Sequence, residues 1–515
     1  MTELYRRRWQ ALVVLCFGLA VVGMDSLIVN VTLPSLVREL QATTSQLQWT
    51  VDAYTLAFAG SLLTMGALGD RYGRRRTLYL GLLIFAAGSL AAAEAGSAGT
   101  LIAARAVMGL GGAVVCPSTL SIITNIFPEH ERGKAIGIWS SFSVLGIVIG
   151  PTVGGWLLDR YWWGSVFLIN IPIVAVVVVA TWLLVPESRD PHAPAVDWLG
   201  AAMSLTGLVT LVHAIIEAPG QGWTGPATLG QFAAAALLLA AFITWERRRQ
   251  HPLLPVTLFR NRRFTAANAT LTLMFFAING LLFLVTQHLQ FVLGYSPLQA
   301  GVRLLPVTTM ILTAVLSATL VHRFGTTAVV TTGLLVEAGG GWLLHTADTT
   351  NGYGPIALAL ALFGLGMGLA QAPATDSIMG ALPLAKAGVG SAMNDTTRAV
   401  GGALGVAVLG SVLTSAYTSG LGPALAGLPA PVAAAARSSV GGALQAAGQL
   451  GAGGSGLEGA ARRAFVDGSS NGLLVATGML MLGALVALVL LPAHAKAPHP
   501  AAASDPATTE TADTH

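Results

Sequence analysis

Apolar residues along this chain run in stretches of about 20 separated by short polar clusters, and a helix of that length spans a bilayer core of roughly 30 Å. Fourteen such stretches are predicted as helices, near residues 10–33, 49–68, 78–95, 100–124, 135–158, 164–185, 198–217, 228–245, 267–292, 300–321, 327–346, 355–378, 397–416 and 472–492. The first follows Arg6, Arg7 and Arg8 and runs to Leu33 without a small-residue cleavage site, so it reads as a spanning helix and not as a cleaved leader. The polar clusters are lopsided. Arg71, Arg74, Arg75, Arg76, Arg132, Lys134, Arg247, Arg248, Arg249, Arg260, Arg262, Arg263 and Arg323 fall in loops on one side, whereas the short loops on the other hold Arg38, Arg160 and Arg303. The positive-inside rule then places both termini in the cytoplasm of a bacterial cell, across its cytoplasmic membrane. Residues 417–470, rich in Ala, Gly, Ser and Pro, lie on the outer side, where composition allows either a short helix or a mobile loop. The tail from 496 to 515 reads as disordered.

Composition agrees with the pattern and narrows the class. Hydrophobic residues make up 54% of the 515 positions and charged residues 10%, against roughly 25% charged in a soluble domain, which excludes a soluble enzyme. The net charge of +4 sits in membrane-flanking loops, so it is an orientation signal and implies no nucleic-acid partner. Cys16 and Cys116 each lie inside an apolar run, where they read as packing residues; neither a disulfide framework nor a metal site is supported. No GxxxxGK[ST] phosphate loop is present, so an ion gradient, and no cofactor, is expected to supply the energy.

The chain repeats itself. GALGDRYG at Gly66–Gly73 returns as ATLVHRFG at Ala318–Gly325, an offset of 252; PSTLSII at Pro117–Ile123 returns as PATDSIM at Pro373–Met379; and Gly146, Gly150 and Gly155 return as Gly401, Gly405 and Gly410. An all-α polytopic membrane protein follows, with six-helix halves at 1–190 and 260–495 and an inserted helix pair at 191–259.

Several motifs sit on these helices. Gly66, Asp70, Arg71, Gly73 and Arg74 occupy the tight loop after helix two, where glycines allow a sharp turn and the charges can pair with neighbouring helix ends. Gly146, Gly150 and Gly154 fall four apart on helix five, so another helix can approach closely, and Pro151 removes one backbone donor there, as a bendable gating contact needs. The Gly66–Arg76 loop resembles the signature loop of the major facilitator superfamily. Leu101, Arg105, Gly109 and Gly111 resemble its membrane-arginine motif, with Met108 where glutamine is usual, and Gly146, Gly150, Pro151, Gly154 and Gly155 resemble its GxxxGPxxGG antiporter motif. Asp25, Asn30 and Pro34 resemble the helix-one pattern of the fourteen-helix drug:proton antiporters of the EmrB/QacA type, with Leu27 where threonine is usual. Trp163, Phe167, Asn170, Pro172 and the pair Gly222-Trp223 are similar to that family as well. The resemblance implies the major facilitator fold and proton-coupled drug export.

An ionisable side chain at bilayer depth costs roughly 2.5–3.5 kcal/mol, so each one is a functional candidate. Asp25, Arg105, Glu337 and Asp376 are the clearest, and they are the expected proton-coupling set. Asp25 has no basic neighbour in sequence; burial disfavours an ionised carboxylate and a nearby cation favours it, so access to water or to a cationic substrate can switch such a group. Arg105 cannot give up its proton and must find a carboxylate, carbonyls or water. It either tunes a nearby carboxylate or only locks helix four. Asp376 ranks second to Asp25, and Asp52 and Glu217 lie near outer helix ends, where solvation is cheap. Asn30, Asp52, Tyr54, Trp139, Phe142, Glu217 and Gln287 are the candidate substrate contacts, with Phe275 and Phe283 as further aromatic wall.

The expected function is a proton-coupled exporter of lipophilic or cationic drugs or antibiotics, acting in the bilayer as a monomer and catalysing no covalent chemistry. Uptake or exchange of one metabolite is the alternative, and a receptor or channel would not require two matching halves with embedded carboxylates.

Overall fold

The computed structural model describes residues 2–189, 196–250, 252–346, 352–382 and 387–492. The expected 496–515 tail lies outside them. Eighteen α-helices are present among the described residues: α1 (Thr2–Leu40), α2 (Thr44–Tyr72), α3 (Arg74–Ala93), α4 (Ala98–Ile126), α5 (Glu129–Arg160), α6 (Ser165–Leu168), α7 (Asn170–Leu184), α8 (Trp198–Gln221), α9 (Pro226–Arg248), α10 (Arg262–Gln287), α11 (Pro297–Arg303), α12 (Met310–Phe324), α13 (Thr326–His345), α14 (Tyr353–Met379), α15 (Ala387–Leu421), α16 (Ala430–Ser438), α17 (Val440–Gln449) and α18 (Ser455–Leu490). Thirteen helical segments, counting α6–α7 and α11–α12 as one each, are long and apolar enough to cross a membrane. The 32-residue α5 runs alongside α1 and completes the fourteen. An even number of spans returns the chain to the face from which α1 starts, called the basal face below; the opposite face is the distal one.

Helix ends follow local chemistry. Thr43, Ser97 and Ser296 each close a capping box at the start of α2, α4 and α11, satisfying otherwise orphaned amides. At the inserted pair, Asp197 caps α8 through the Gly200 amide at 3.0 Å and also accepts from Trp245 Nε1 at 2.8 Å and Arg249 Nε at 3.3 Å. Burial opposes ionisation there, but these donors outweigh it and hold the carboxyl below its ordinary range. The span expected at 300–321 is broken. Pro306 has no amide to donate, and a 3-10 turn at Leu305–Thr309 separates α11 from α12. Most other helices outrun the predicted stretches, because hydropathy marks only the part within lipid; α18 begins at Ser455 where the pattern suggested 472.

Glycine contacts display the two-fold relation between the halves. Gly146 lies directly against the Ala20 carbonyl and Gly150 against that of Met24, so α5 and α1 run parallel in close contact; Gly401 against Thr272 and Gly405 against Phe276 repeat this between α15 and α10. The α4 glycine Gly109 meets the Tyr54 carbonyl as Gly364 meets that of Val307, and Gly81 and Gly88 on α3 correspond to Gly333 and Gly340 on α13. Even the turn before α3 is repeated: Gly73 has φ 114° and Gly325 φ 84°, conformations that favour glycine.

The distal side is where the halves clasp. Gln48 Nε2 donates to the Val406 and Ala407 carbonyls at 3.3 and 2.9 Å, Gln290 Nε2 to Val31 at 3.0 Å, and Ser296 Oγ to Asp159 Oδ2 at 3.0 Å. Gly155 packs against Pro297 and Leu298, and Gly301 against Pro151. The inserted α8 lies across the seam: Val212, Ile215 and Ile216 pack with Leu56 of α2 and with Ala403 and Ala407 of α15. The 417–470 segment is helical. Its two short helices, α16 and α17, form a cap anchored by Tyr417 Oη to the Ala436 carbonyl at 2.8 Å, while Thr44 of the first half donates to Ser438 at 3.2 Å and Gly441 sits on Val37 and Phe291.

Candidate functional site

Two features meet near the middle of the bundle, a dry ion pair and a cavity. On α1, Asp25 is fully buried and pairs through Oδ2 with Arg105 Nη1 of α4, also fully buried. Asn170 Nδ2 on α7 donates to Asp25 Oδ1 at 3.1 Å and to Ser89 Oγ on α3 at 3.1 Å, so four helices converge on one carboxylate. Arg105 Nε donates to the Thr50 carbonyl at 3.2 Å, and the guanidinium stands 4.2 Å from the centroid of the Tyr54 ring. Two buried charges are tolerated only when paired and hydrogen-bonded, and removing one partner typically costs about 3–5 kcal/mol. Tyr54 in turn donates to the Val22 carbonyl at 3.2 Å. From the sequence, Asp25 and Arg105 stood as separate proton-coupling candidates and Tyr54 as a substrate contact; the structure places the three side by side, and Asn170 was noted only through the family resemblance.

The cavity, about 260 Å³, lies between the halves. Val22, Gly23 and Ser26 of α1, Tyr54 and Phe58 of α2, Pro151 of α5, Phe275 and Asn279 of α10 and Met310 of α12 line it. Tyr54 therefore belongs to both features: one face of α2 carries the ring that covers Arg105 and walls the cavity. From the second half, Asp395 and Arg398 of α15 also reach this space, with Arg398 Nη1 3.8 Å from Asp395 Oδ1. The hydropathy pattern missed this pair, since a helix predicted from 397 takes in Arg398 and leaves Asp395 in the polar stretch before it. In the structure α15 starts at Ala387, and these residues are polar because they face the cavity and not lipid. The signal was present as an acid and a base three apart, one helical turn. Cys116, expected to be a packing residue, also lines the cavity, with its Sγ 3.9 Å from Asp395 Oδ2.

Other candidates stand elsewhere. Asp52, expected in a cheaply solvated place, is fully buried, and neither carboxylate oxygen has a hydrogen-bond partner among the described residues. It lies one turn from Gln48 and from Leu56, on the α2 face that meets α15 and α8. Glu337 is likewise fully buried without a partner among the described residues, against Gly366 of α14 and not at the cavity. Asp376, ranked second as a proton site, is exposed at the basal end of α14, where Arg263 interacts with it. Depth in the sequence stretch misled here, because the helix end has already left the bundle core. Of the candidate substrate contacts, only Tyr54 lines the cavity. Asn30 is buried in α1; Trp139 Nε1 donates to Thr119 at 3.1 Å; Phe142 packs edge-on to the exposed Phe17; Glu217 accepts from Ser45 at 2.7 Å; and Gln287 donates to Phe283 of its own helix at 3.0 Å. Phe283 is fully buried, while Phe275 does form wall.

The expected loop after helix two shrinks to Gly73, since α2 carries Gly66, Asp70 and Arg71 and α3 starts at Arg74; the junction is a charge knot on the basal face. Asp70 Oδ1 accepts from Arg74 Nε at 2.8 Å, and Arg74 Nη1 reaches the Ser121 carbonyl at 3.4 Å. Glu187 accepts the Arg75 amide at 3.1 Å and crowds Gly73, while Gly66 lies against Pro117 and Arg71 is exposed beside Tyr72. The knot binds α2, α3, α4 and the end of α7 into one unit.

Two related bundles clasped on one face around a central cavity, with a buried ion pair beside it, define a multi-pass membrane transporter. The chain belongs to the Major Facilitator Superfamily, whose family model matches residues 15–406. It is 36% identical over 411 residues to the tetracenomycin C resistance and export protein of Streptomyces glaucescens, covering 79% of this chain and 76% of that one. It is 35% identical over 483 residues to the multidrug efflux pump LfrA of Mycolicibacterium smegmatis, covering 93% and 95%. Among solved structures, a bacterial homolog of the human lysosomal transporter Spinster, in an inward-facing and unoccupied conformation, superposes with a TM-score of 0.65 at 18% identity, covering 94% of this chain and 98% of that one. That likeness concerns the fold.

Proposed function

We propose that this protein exports lipophilic or cationic drugs or antibiotics across the bacterial cytoplasmic membrane in exchange for protons, by alternating access. The observation that carries the reading is the placement of the Asp25–Arg105 pair directly behind Tyr54 in the cavity wall. A substrate that moves Tyr54 disturbs the pair, and a change in the pair's charge moves Tyr54. Protonation of Asp25 removes the charge that holds Arg105 to α1, leaving the guanidinium to the Thr50 carbonyl and the Tyr54 ring, both on α2. The gradient of protons is the energy source, and no cofactor takes part. The names of the relatives, a resistance and export protein and a multidrug efflux pump, support drug export as the direction and class. The test is growth and dye retention of cells with and without the protein across a panel of dyes, quaternary ammonium compounds and antibiotics. Expression is expected to lower accumulation of several of them, and to stop doing so when the proton gradient is collapsed. Unchanged accumulation across the whole panel overturns the reading.

With the arginine-rich basal face in the cytoplasm, the clasped distal side faces outward. In a background without Cys16 and Cys116, a membrane-impermeant thiol reagent applied outside is expected to modify a cysteine introduced as Gly453→Cys and to spare Arg249→Cys. The reverse pattern overturns the orientation.

A further inference from the structure

The Asp25–Arg105 and Asp395–Arg398 pairs differ in kind. The first is sealed, with both side chains 0% exposed and every contact on neighbouring helices of one half. The second is loose: its closest approach of 3.8 Å is beyond a hydrogen bond, and its acid and base keep 25% and 26% of their side-chain surface open, in the wall of the cavity. The Arg398 guanidinium also lies 4.5 Å from the centroid of the Phe275 ring, which lines the same space. A carboxylate and an aromatic face, both reachable from the cavity, are the two groups an organic cation needs. Asp395 is held ready by its neighbours: Asn394 Nδ2 donates to its Oδ1 at 3.3 Å, and Thr375 Oγ1 fixes Asn394 at 3.2 Å. Across the cavity, Tyr54 and Phe58 stack at 6.3 Å and Met310 and Met367 add adaptable apolar surface, which suits the bulky body of such a cation.

We propose that Asp395 and Phe275 form a subsite for a monovalent lipophilic cation, and that Arg398 is its tethered stand-in, occupying the subsite in the empty transporter and being displaced when such a substrate binds. The inference rests on the reading of the cavity as the substrate site. Arg398 then has two effects. It spares Asp395 an unpaired charge between cycles, and it sets an affinity threshold, because each substrate must compete with a guanidinium that never leaves the chain. An uncharged substrate gains nothing from Asp395 and binds without contesting it.

The test is binding of tetraphenylphosphonium to the purified protein in lipid nanodiscs, with thermal unfolding as a control for each variant. Asp395→Asn is expected to weaken binding at least tenfold. Arg398→Gln is expected to tighten it about fivefold, Arg398→Lys to leave it near the wild-type value, and Asp395→Asn/Arg398→Gln to match Asp395→Asn, since without the acid there is nothing to contest. An Arg398→Gln protein that folds normally yet binds the cation no better, or more weakly, overturns the stand-in role. Absence of binding by every variant overturns the cation subsite. Export measured on the panel above separates the two readings: a protein that pumps only uncharged compounds keeps its export function and loses this subsite.

Discussion

Asp25→Asn is expected to abolish pH-driven transport in reconstituted vesicles, by at least a hundredfold, while the protein remains folded in the membrane. The amide is nearly isosteric with the carboxylate: its oxygen can still accept from Arg105, while its nitrogen faces Asn170, whose side chain must turn over so that its own oxygen accepts in place of the lost bond. What it loses is a proton that comes and goes. Arg105 has lost its counter-charge but retains the Thr50 carbonyl and the Tyr54 ring, which limits the cost that a buried unpaired guanidinium would otherwise impose. Asp25→Glu restores a titratable group one methylene out of place and is expected to recover part of the rate. The measurement is uphill substrate flux with simultaneous recording of internal pH. Normal proton movement through Asp25→Asn would falsify the assignment, and the buried, unpartnered Asp52 and Glu337 then become the carboxylates to replace.

Gly150→Leu is expected to reduce export at least tenfold without preventing insertion. Even a single Cβ at this position would lie 2.7 Å from the Met24 carbonyl oxygen, and that atom belongs to the backbone of α1, one residue from Asp25. The strain cannot be relieved by turning a side chain; α5 must move away from α1, and the acid moves with its helix. Gly150→Ala is expected to show a smaller loss in the same direction. Gly137→Leu is the control on the same helix, since a Cβ there meets nothing within 4 Å among the described residues, and it is expected to be silent. Wild-type export by Gly150→Leu, at equal protein level, refutes the close-contact account of α5.

The contrast between these residues and the missed ones shows what a sequence can disclose about such a molecule. Spans, repeat and glycine seams were legible because lipid imposes a simple rule on whole stretches and close helix contact admits only small side chains. Asp25 and Arg105 were legible because each is isolated among apolar neighbours. Asp395 and Arg398 were hidden by the same rule: a helix lining a water-filled space is allowed to be polar, so the first turns of α15, Asp395 among them, fell outside the predicted span and Arg398 stood at its edge. Trp139, Phe142 and Gln287 failed in the opposite way, as residue type does not say which side of a helix meets the cavity. Asp52 and Asp376 exchanged places between solvated and buried because position within a stretch is a poor measure of what the neighbouring helices cover.

The cap formed by α16 and α17 belongs by sequence to the second half, yet it rests partly on the first, through Thr44 and Val37. Any movement that parts the halves on the distal side must peel one of them from the cap, uncovering Gly441 and the patch of α1 beneath it. On the alternating-access reading that patch would be a state-dependent epitope: a binder raised against it is expected to recognise the opened form alone and, by holding on, to prevent the return stroke. Inhibition of this kind acts from the water side and need not compete with any cargo.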